Sequence, residues 1–253
     1  MKRQPITTDG AHCGVYVADT YVFNNPHIAQ KHLMPYRFSQ QDYKVVHFPY
    51  KAFGRREAEV HLTETLMQEC IQRRVPIVLE TRTDIPDWAL DALSQARHSV
   101  LTVQVATMHP TQRRRFFPQS DPPEVMRDLL ARAFRRGIDT RLALTPLIPS
   151  VSDMGALTDY MNAMRAFVHS VEIAFGVLDT EDIARIERRN RLPAGALGAL
   201  YTADLAGMHH LRDDVRERAI LEFRAFCEGN GMALHEYGCG APRAGDDEEA
   251  PTC

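Results

Sequence analysis

Five short apolar runs recur along this chain: "KVVHF", "PIVLET", "SVLTVQVATM", "TRLALTPLIP" and "SVEIAFGVL", most of them separated by stretches with helical spacing. No other feature constrains the fold so tightly. Short apolar runs bounded by turn signals read as strands buried on both faces. Strand then helix, repeated with short connections, requires a parallel sheet with right-handed crossovers. Helices are predicted over about Glu57 to Arg73, over Ile85 to Ala96, over Pro122 to Arg136 and through "ALTDYMNAMRAFV". After "SVEIAFGVL" the pattern reads as mostly helix to about Gly229. The expected fold is α/β, a partial (βα)6 TIM-like barrel of parallel strands. An open doubly wound sheet is the alternative, because both need the same buried strands.

The helix from Pro122 to Arg136 carries the clearest local signals. Asp121 with Glu124 has capping-box spacing, Pro122 suits a first helical position, and Gly137 suits the stop. Met126, Leu129, Leu130, Ala133 and Phe134 fall on one stripe at helical spacing. The strand after it is expected to end at Pro146, which has no N–H to donate. Asp153 reads as the N-cap of the next helix.

At 253 residues, 44% hydrophobic and 25% charged, the chain is expected to form one barrel domain over 1–240 with a helical C-terminal part. The end "APRAGDDEEAPTC" reads as an acidic, unstructured tail over 241–253. That tail alone accounts for the formal charge of −3. The body is therefore neutral and offers nucleic acid no general electrostatic attraction, although local arginine clusters can still supply one. No apolar run reaches the roughly 18 residues of a membrane span, so no membrane is expected. Five scattered cysteines fit a reducing compartment, the cytoplasm, rather than a disulfide framework.

In either architecture chemistry gathers beyond the C-terminal ends of the strands. Tyr50 and Lys51 lie there: lysine as a point charge for phosphate or carboxylate, tyrosine as a donor or stacking face. The run "QRRRFFPQ" brings Arg113, Arg114 and Arg115 next to Phe116 and Phe117, a composition suited to phosphate contact and base stacking, or to a solvated helix edge with two core rings. The pairs Arg73-Arg74, Arg135-Arg136 and Arg188-Arg189 read as helix-end cations that complement the dipole. His12, Cys13, His27 and His32 match no structural zinc spacing, and "HEYGCG" reads as a turn with a solvated histidine.

The stretch from "VLTVQVATMHP" to "LTPLIPSVSD" resembles the barrel of radical S-adenosylmethionine proteins, in particular the spore photoproduct lyase-like branch. "QVAT" lies over that branch's "SITT"-type strand end, Arg114 and Pro118 over its Arg then Glu-Pro, and Pro123-Glu124 over its helix start. "RGI", "TPLIPSVSD", "TRTD" and "FPYK" fall over "AGI", "APIIPGLND", "TKSD" and near "DPYQP". The likeness spans roughly residues 44–153. It implies S-adenosylmethionine as cofactor, held around Thr81, Arg82, Gln104, Arg114, Leu147 and Ile148, the last two as apolar support for adenine. It also implies a nucleotide-like small molecule or a nucleic acid as substrate.

The same resemblance implies a 4Fe–4S cluster on three cysteines at C-x3-C-x2-C spacing. Three soft thiolates must converge from one short loop. The matching loop here, "DGAHCGVYVADTYV", places Asp9, Cys13 and Tyr16 in that spacing, and no register supplies three thiolates. Gln104, Phe117 and Arg82 also replace the branch's serine, glutamate and lysine. A cluster is therefore not expected. Catalytic candidates are Cys13, Tyr50 and Lys51, although Cys13 reads first as a small packed side chain near the barrel mouth. Two functions follow: an enzyme acting on a nucleobase, nucleoside or nucleic acid without the usual cluster, or an inactive barrel serving as partner subunit of an active enzyme.

Overall fold

Seven strands of this chain pair side by side in sequence order, every pair parallel, in a computed structural model that describes residues 20–22, 45–48 and 57–237. The strands are β1 (Thr20–Val22), β2 (Val45–Phe48), β3 (Ile77–Thr81), β4 (Val100–Val105), β5 (Asp139–Leu147), β6 (Ser170–Phe175) and, at the far edge, β9 (Ala233–Tyr237). Two further strands, β7 (Tyr201–Ala203) and β8 (His209–Leu211), form an antiparallel hairpin. A doubly wound sheet reverses its strand order at a switch point. This sheet never reverses, and its two edges do not meet, so it is a partial barrel.

The helices are α1 (Glu57–Arg73), α2 (Asp87–Gln95), α3 (Pro110–Phe116), α4 (Pro123–Arg135), α5 (Met154–Met164), α6 (Thr180–Asn190) and α7 (Asp213–Gly229). None of the described helices is long and apolar enough to cross a membrane. Strand alternation divides the sheet into two unlike faces. Val46, Phe48, Leu79, Leu101, Val103, Leu142, Leu144, Val171 and Ile173 belong to the hydrophobic core. The alternate positions His47, Glu80, Thr102, Gln104, Arg141, Ser170 and Glu172 are polar. In-register pairing lines them up, Glu80 with Thr102, Arg141 and Ser170, and Gln104 with Ala143 and Glu172.

Several sequence expectations change. The last region holds a hairpin where helix was expected, and a seventh sheet strand where a turn was expected, so "ALHEY" is strand and His235 an exposed strand residue. β5 runs through Pro146 to Leu147, its register with β6 slipping between Leu144 and Leu147, which tolerates the missing N–H. Asp121 does not cap α4: its Oδ2 accepts from the Asp84 N–H at 2.7 Å, and the N-cap is Pro122, without a side-chain bond. Gly137 does end α4 at φ +71°, with its N–H on the Phe134 carbonyl at 2.9 Å. Asp153 caps α5 through the Ala156 N–H. Phe134 leaves the predicted stripe, 42% exposed, and packs edge-on against Phe167 instead. Cys13, Tyr50, Lys51, His12, His27, His32, Cys239 and the acidic tail lie outside the described residues.

The stretch from Gly176 to Arg212 is not a simple crossover. α6 starts just beyond β6, and its far end meets the connections that follow β4 and β5. Gln112 Nε2 donates to Asn190 Oδ1 at 3.1 Å, and Asn190 Nδ2 donates to the Ser150 carbonyl at 3.1 Å. The hairpin is tied to the same rim by the mutual Leu178–His209 backbone bonds, 3.0 and 2.7 Å. This segment therefore caps part of the barrel mouth. Buried Glu187 holds its loop closed, accepting from the N–H groups of Gly195 (3.0 Å), Leu197 (2.8 Å) and Gly198 (3.2 Å).

Two outcomes are expected. Leu130 is fully buried, so Leu130→Ala should cost about 2–5 kcal/mol in urea unfolding. Phe134→Ala should cost clearly less, because that ring already meets water. The second concerns Glu187, whose pKa is lowered from 4.5, chiefly by the Gly195 N–H, then by those of Gly198 and Leu197 against the opposing effect of burial. A depressed carboxylate adds stability above its unfolded pKa and loses it as pH falls through the folded value. Glu187→Gln should therefore melt below wild type at neutral pH, with the gap narrowing as pH drops below the ordinary carboxylate range. A gap that stays constant down to strong acid would contradict this.

Candidate functional site

Parallel strands put their C-terminal ends on one rim, and here the polar face of the sheet rises to that rim as a connected chain. His47 Nε2 on β2 stands 3.1 Å from Glu80 Oε1 on β3, close enough for an ion pair, although the ring N–H is not aimed along a hydrogen bond. Glu80 Oε2 accepts from Gln104 Nε2 on β4 at 2.9 Å. Gln104 Oε1 in turn accepts from Arg82 Nε at 2.7 Å. His47, Glu80 and Gln104 are each under 7% exposed, so water does not compete for these groups. Imidazole, carboxylate, amide and guanidinium thus run from the interior to the mouth across three strands.

A second charged pair lies further round. Arg141 Nη1 sits 3.6 Å from Glu172 Oε1 on β6, and its Nη2 lies 3.6 Å from Asp139 Oδ2. Glu172 is buried while Arg141 is partly exposed. Beyond β4 the wall is built by Thr107, Arg113, Phe117, Ser120 and Asp121, around an interstice of about 10 Å³, room for a single water. Arg113 donates to the Ser120 carbonyl, and Thr107 Oγ1 donates to the Val151 carbonyl at 3.0 Å. Ser152 Oγ donates to the Ala106 carbonyl at 2.7 Å and accepts from the Ile148 N–H at 3.1 Å. These bonds lock the loops after β4 and β5 together.

Of the residues singled out in the sequence, Arg82 and Gln104 are brought together. Thr81 is fully buried, and its hydroxyl closes its own turn, donating to the Thr83 carbonyl at 2.7 Å. Leu147 and Ile148 are core residues at the end of β5. Ile148 packs so closely on Gly176 that a Cβ there would stand 2.8 Å from its Cγ1. Arg114 is exposed on α3, and it is Arg113 that faces the interstice. His47, Glu80, Arg141 and Glu172 were missed. Their signal was a polar residue at every second position of strands read as uniformly buried.

Among the described residues the donor set does not fit a 4Fe–4S cluster, and the loop that carries Cys13 lies outside them. The two cysteines among the described residues are both buried, Cys70 on α1 and Cys227 on α7. Burial pushes their thiols up to about 12 and about 11, which keeps them protonated and unlike thiolate ligands. Among the described residues no three His, Cys, Asp or Glu side chains converge on a metal position. S-adenosylmethionine is a different case: its carboxylate, amine and ribose need cations and acceptors at a strand-end rim. Arg82, Gln104 and Glu80 are groups of that kind.

No protein-family model matches the sequence, and no curated protein matches it. Solved structures do. Streptococcus suis SuiB superposes with a TM-score of 0.55 at 9% identity, over 88% of this chain and 49% of its own. A spore photoproduct lyase variant gives 0.53 at 11% identity, over 83% and 64%. TsrM from Kitasatospora setae, a radical S-adenosylmethionine methyltransferase solved with cobalamin and a 4Fe–4S cluster, gives 0.51 at 10%, over 85% and 48%. The chain thus spans less than two thirds of the length of each. At such identities the likeness is one of fold alone, an α/β partial barrel shared with these three proteins.

Proposed function

We propose that this chain is a diverged barrel of the radical S-adenosylmethionine type that binds S-adenosylmethionine, or a similar nucleotide-like ligand, at its strand-end rim without a canonical cluster. It acts there on a nucleobase, nucleoside or nucleic-acid substrate, in the cytoplasm. One observation carries this reading: the chain from His47 through Glu80 and Gln104 to Arg82. Burying a carboxylate and its partners costs several kcal/mol of solvation, and apolar residues of equal volume often do as well or better. Barrel interiors built only for stability favour bulky branched side chains. Polar residues held at such positions, joined to one another across three strands, support a site at this end of the sheet.

When bound, S-adenosylmethionine supplies an activated sulfonium carbon. The chain's own residues hold and orient it. Arg82, braced through Nε by Gln104, would hold the ligand carboxylate, and the apolar residues Leu147 and Ile148 would support the adenine. The interstice beside Gln104 takes one water, so the ligand rests above this layer rather than inside it. Glu80 holds its carboxylate between Gln104 and His47, whose Nε2 stands 3.1 Å away in the interior row beneath. Tyr50 and Lys51 remain candidates for substrate contact from the end of β2. No step is routed through a cluster.

A second reading, an inactive partner subunit, is favoured by the sequence's lack of three convergent thiolates. Titration calorimetry separates the two. Wild type should bind S-adenosylmethionine, and Arg82→Ala should weaken it by about tenfold or more, the worth of one charge-assisted hydrogen bond. Replacing the whole buried network, with His47→Leu, Glu80→Leu and Gln104→Leu together, should lose binding while melting no lower than wild type. Wild-type protein that ignores S-adenosylmethionine, its demethylated product and adenosine would overturn the binding reading and favour the partner reading. Anaerobic iron and sulfide reconstitution should leave well under four irons per chain, and full loading would revive the cluster.

A further inference from the structure

A cavity of about 240 Å³ lies far from the mouth, lined by Ile71, Arg74, Gln95, Ala96 and Arg97. Arg74 comes three residues before β3 and Arg97 three residues before β4, so the cavity sits at the N-terminal ends of the strands, between the ends of α1 and α2. It has the volume of about eight liquid waters, where the interstice beside Gln104 holds one. The α1 end that forms one wall closes in a Schellman turn: the Arg74 N–H donates to the Ile71 carbonyl at 3.1 Å and the Val75 N–H to the Cys70 carbonyl at 2.9 Å. That turn needs one left-handed residue, and Arg74 supplies it at φ +59°. Glycine takes this conformation freely, whereas any side chain strains it. The same turn uses Gly137 after α4 and Gly231 after α7, and carries a side chain only at Arg74 and, after α6, at Arg191. The backbone at the cavity therefore does not ask for arginine.

A cation near a helix C-terminus has a plain explanation, since that end of the dipole favours positive charge. Where arginines serve that purpose in this molecule, their side chains find partners. Arg73 Nε donates to Glu69 Oε1 at 2.7 Å, Arg136 Nε donates to Asp91 Oδ1 at 3.0 Å, and Arg115 and Arg189 donate to each other's carbonyls. Arg74 and Arg97 do neither. Both are exposed, and among the described residues neither side chain has a hydrogen bond or an ion pair. The wall between them is apolar, with Ala96 buried and Ile71 half-buried, and the Gln95 amide is turned away to the Asp91 carbonyl at 3.1 Å. Two uncompensated guanidinium charges thus border one apolar-floored cavity.

We propose that this cavity is a second ligand site, for a small phosphate monoester whose phosphate lies between Arg74 and Arg97 and whose apolar body rests on Ile71 and Ala96. Guanidinium forks match phosphate geometry. A phosphate monoester near neutral pH carries close to two charges, as the two arginines do, whereas a carboxylate carries one. The apolar floor selects for an organic ester over the free ion, because a body that covers it removes apolar surface from water. The site stands at the other end of the strands from the mouth and does not depend on what the mouth binds.

The probe is phenyl phosphate, titrated calorimetrically into the full chain in phosphate-free buffer at about 50 mM salt, where screening is modest. Wild type is expected to bind it one to one, and to bind inorganic phosphate and benzoate more weakly, the first for want of an apolar body and the second for want of charge. Arg74→Gly and Arg97→Ala should each weaken binding by about tenfold or more, the worth of a charge-assisted hydrogen bond. Arg74→Gly should melt no lower than wild type, because glycine suits the left-handed turn, so its loss of binding cannot be a loss of fold. Arg188→Ala/Arg218→Ala removes two exposed arginines that do not line the cavity and should leave binding unchanged. Three results overturn the proposal: no wild-type heat up to about 10 mM phenyl phosphate, inorganic phosphate or benzoate binding as tightly as the ester, or equal weakening in the Arg188/Arg218 control.

Discussion

Parallel pairing without any reversal of strand order is the constraint on which everything else in this molecule rests. Each strand adds to the same edge, so the sheet curls one way and its two faces become inside and outside of a partial barrel. All C-terminal ends then share one rim. Register does the rest. With Glu80 opposite Thr102 and Arg141, polar side chains at every second position must stack in rows rather than scatter. Gln104 lies level with Arg82, two residues past Glu80, which is why a single amide can hold carboxylate and guanidinium together.

The outer face of the sheet carries the stability. Leu129 and Leu130 are fully buried, and Leu101, Leu142 and Leu144 fill the strand side of the same core. Around this core the charges pair in a conventional way. Arg132 bridges Asp84 and Asp87, and Arg136 bridges Asp87 and Asp91, joining α4 to α2 and to the loop before it. Such partly exposed pairs contribute little each, so they fix the angle between elements more than they add free energy.

Much of this architecture was legible in the sequence because it rests on period and punctuation. The strand cores and the α1, α4 and α5 helices sit close to where apolar spacing and residues such as Gly137 and Asp153 put them. What was not legible depended on partners far along the chain. Asp121 has capping-box spacing, but the Asp84 N–H, 37 residues away in sequence, takes its carboxylate. "ALHEY" has too few apolar residues to announce a strand, and it becomes one because β6 presents an open edge to it. Phe134 fits the helical stripe by arithmetic, yet the underlying core is already closed by Ala133 and Leu130. For the site, Arg82 and Gln104 were found through their strand-end positions. His47 and Glu80 were passed over because a strand with one polar residue in two looks merely imperfect until register shows where those residues point.

The same residue type also changes meaning with its neighbours. Arginines at the end of α4 and those at the ends of α3 and α6 look alike in sequence, each a doublet or triplet at a helix terminus. On the barrel's outer wall Arg132 and Arg136 find aspartates from α2 and its approach loop, and the charges close on themselves. On the rim the helix ends meet each other instead, cation beside cation, through carbonyls that satisfy geometry but leave net charge uncancelled. Glu187 and Asp182 are close in sequence but are already engaged, the first by the loop it closes and the second by Arg185. The uncancelled charge is therefore a property of how the cap segment is built, and it faces the rim where the strand ends gather.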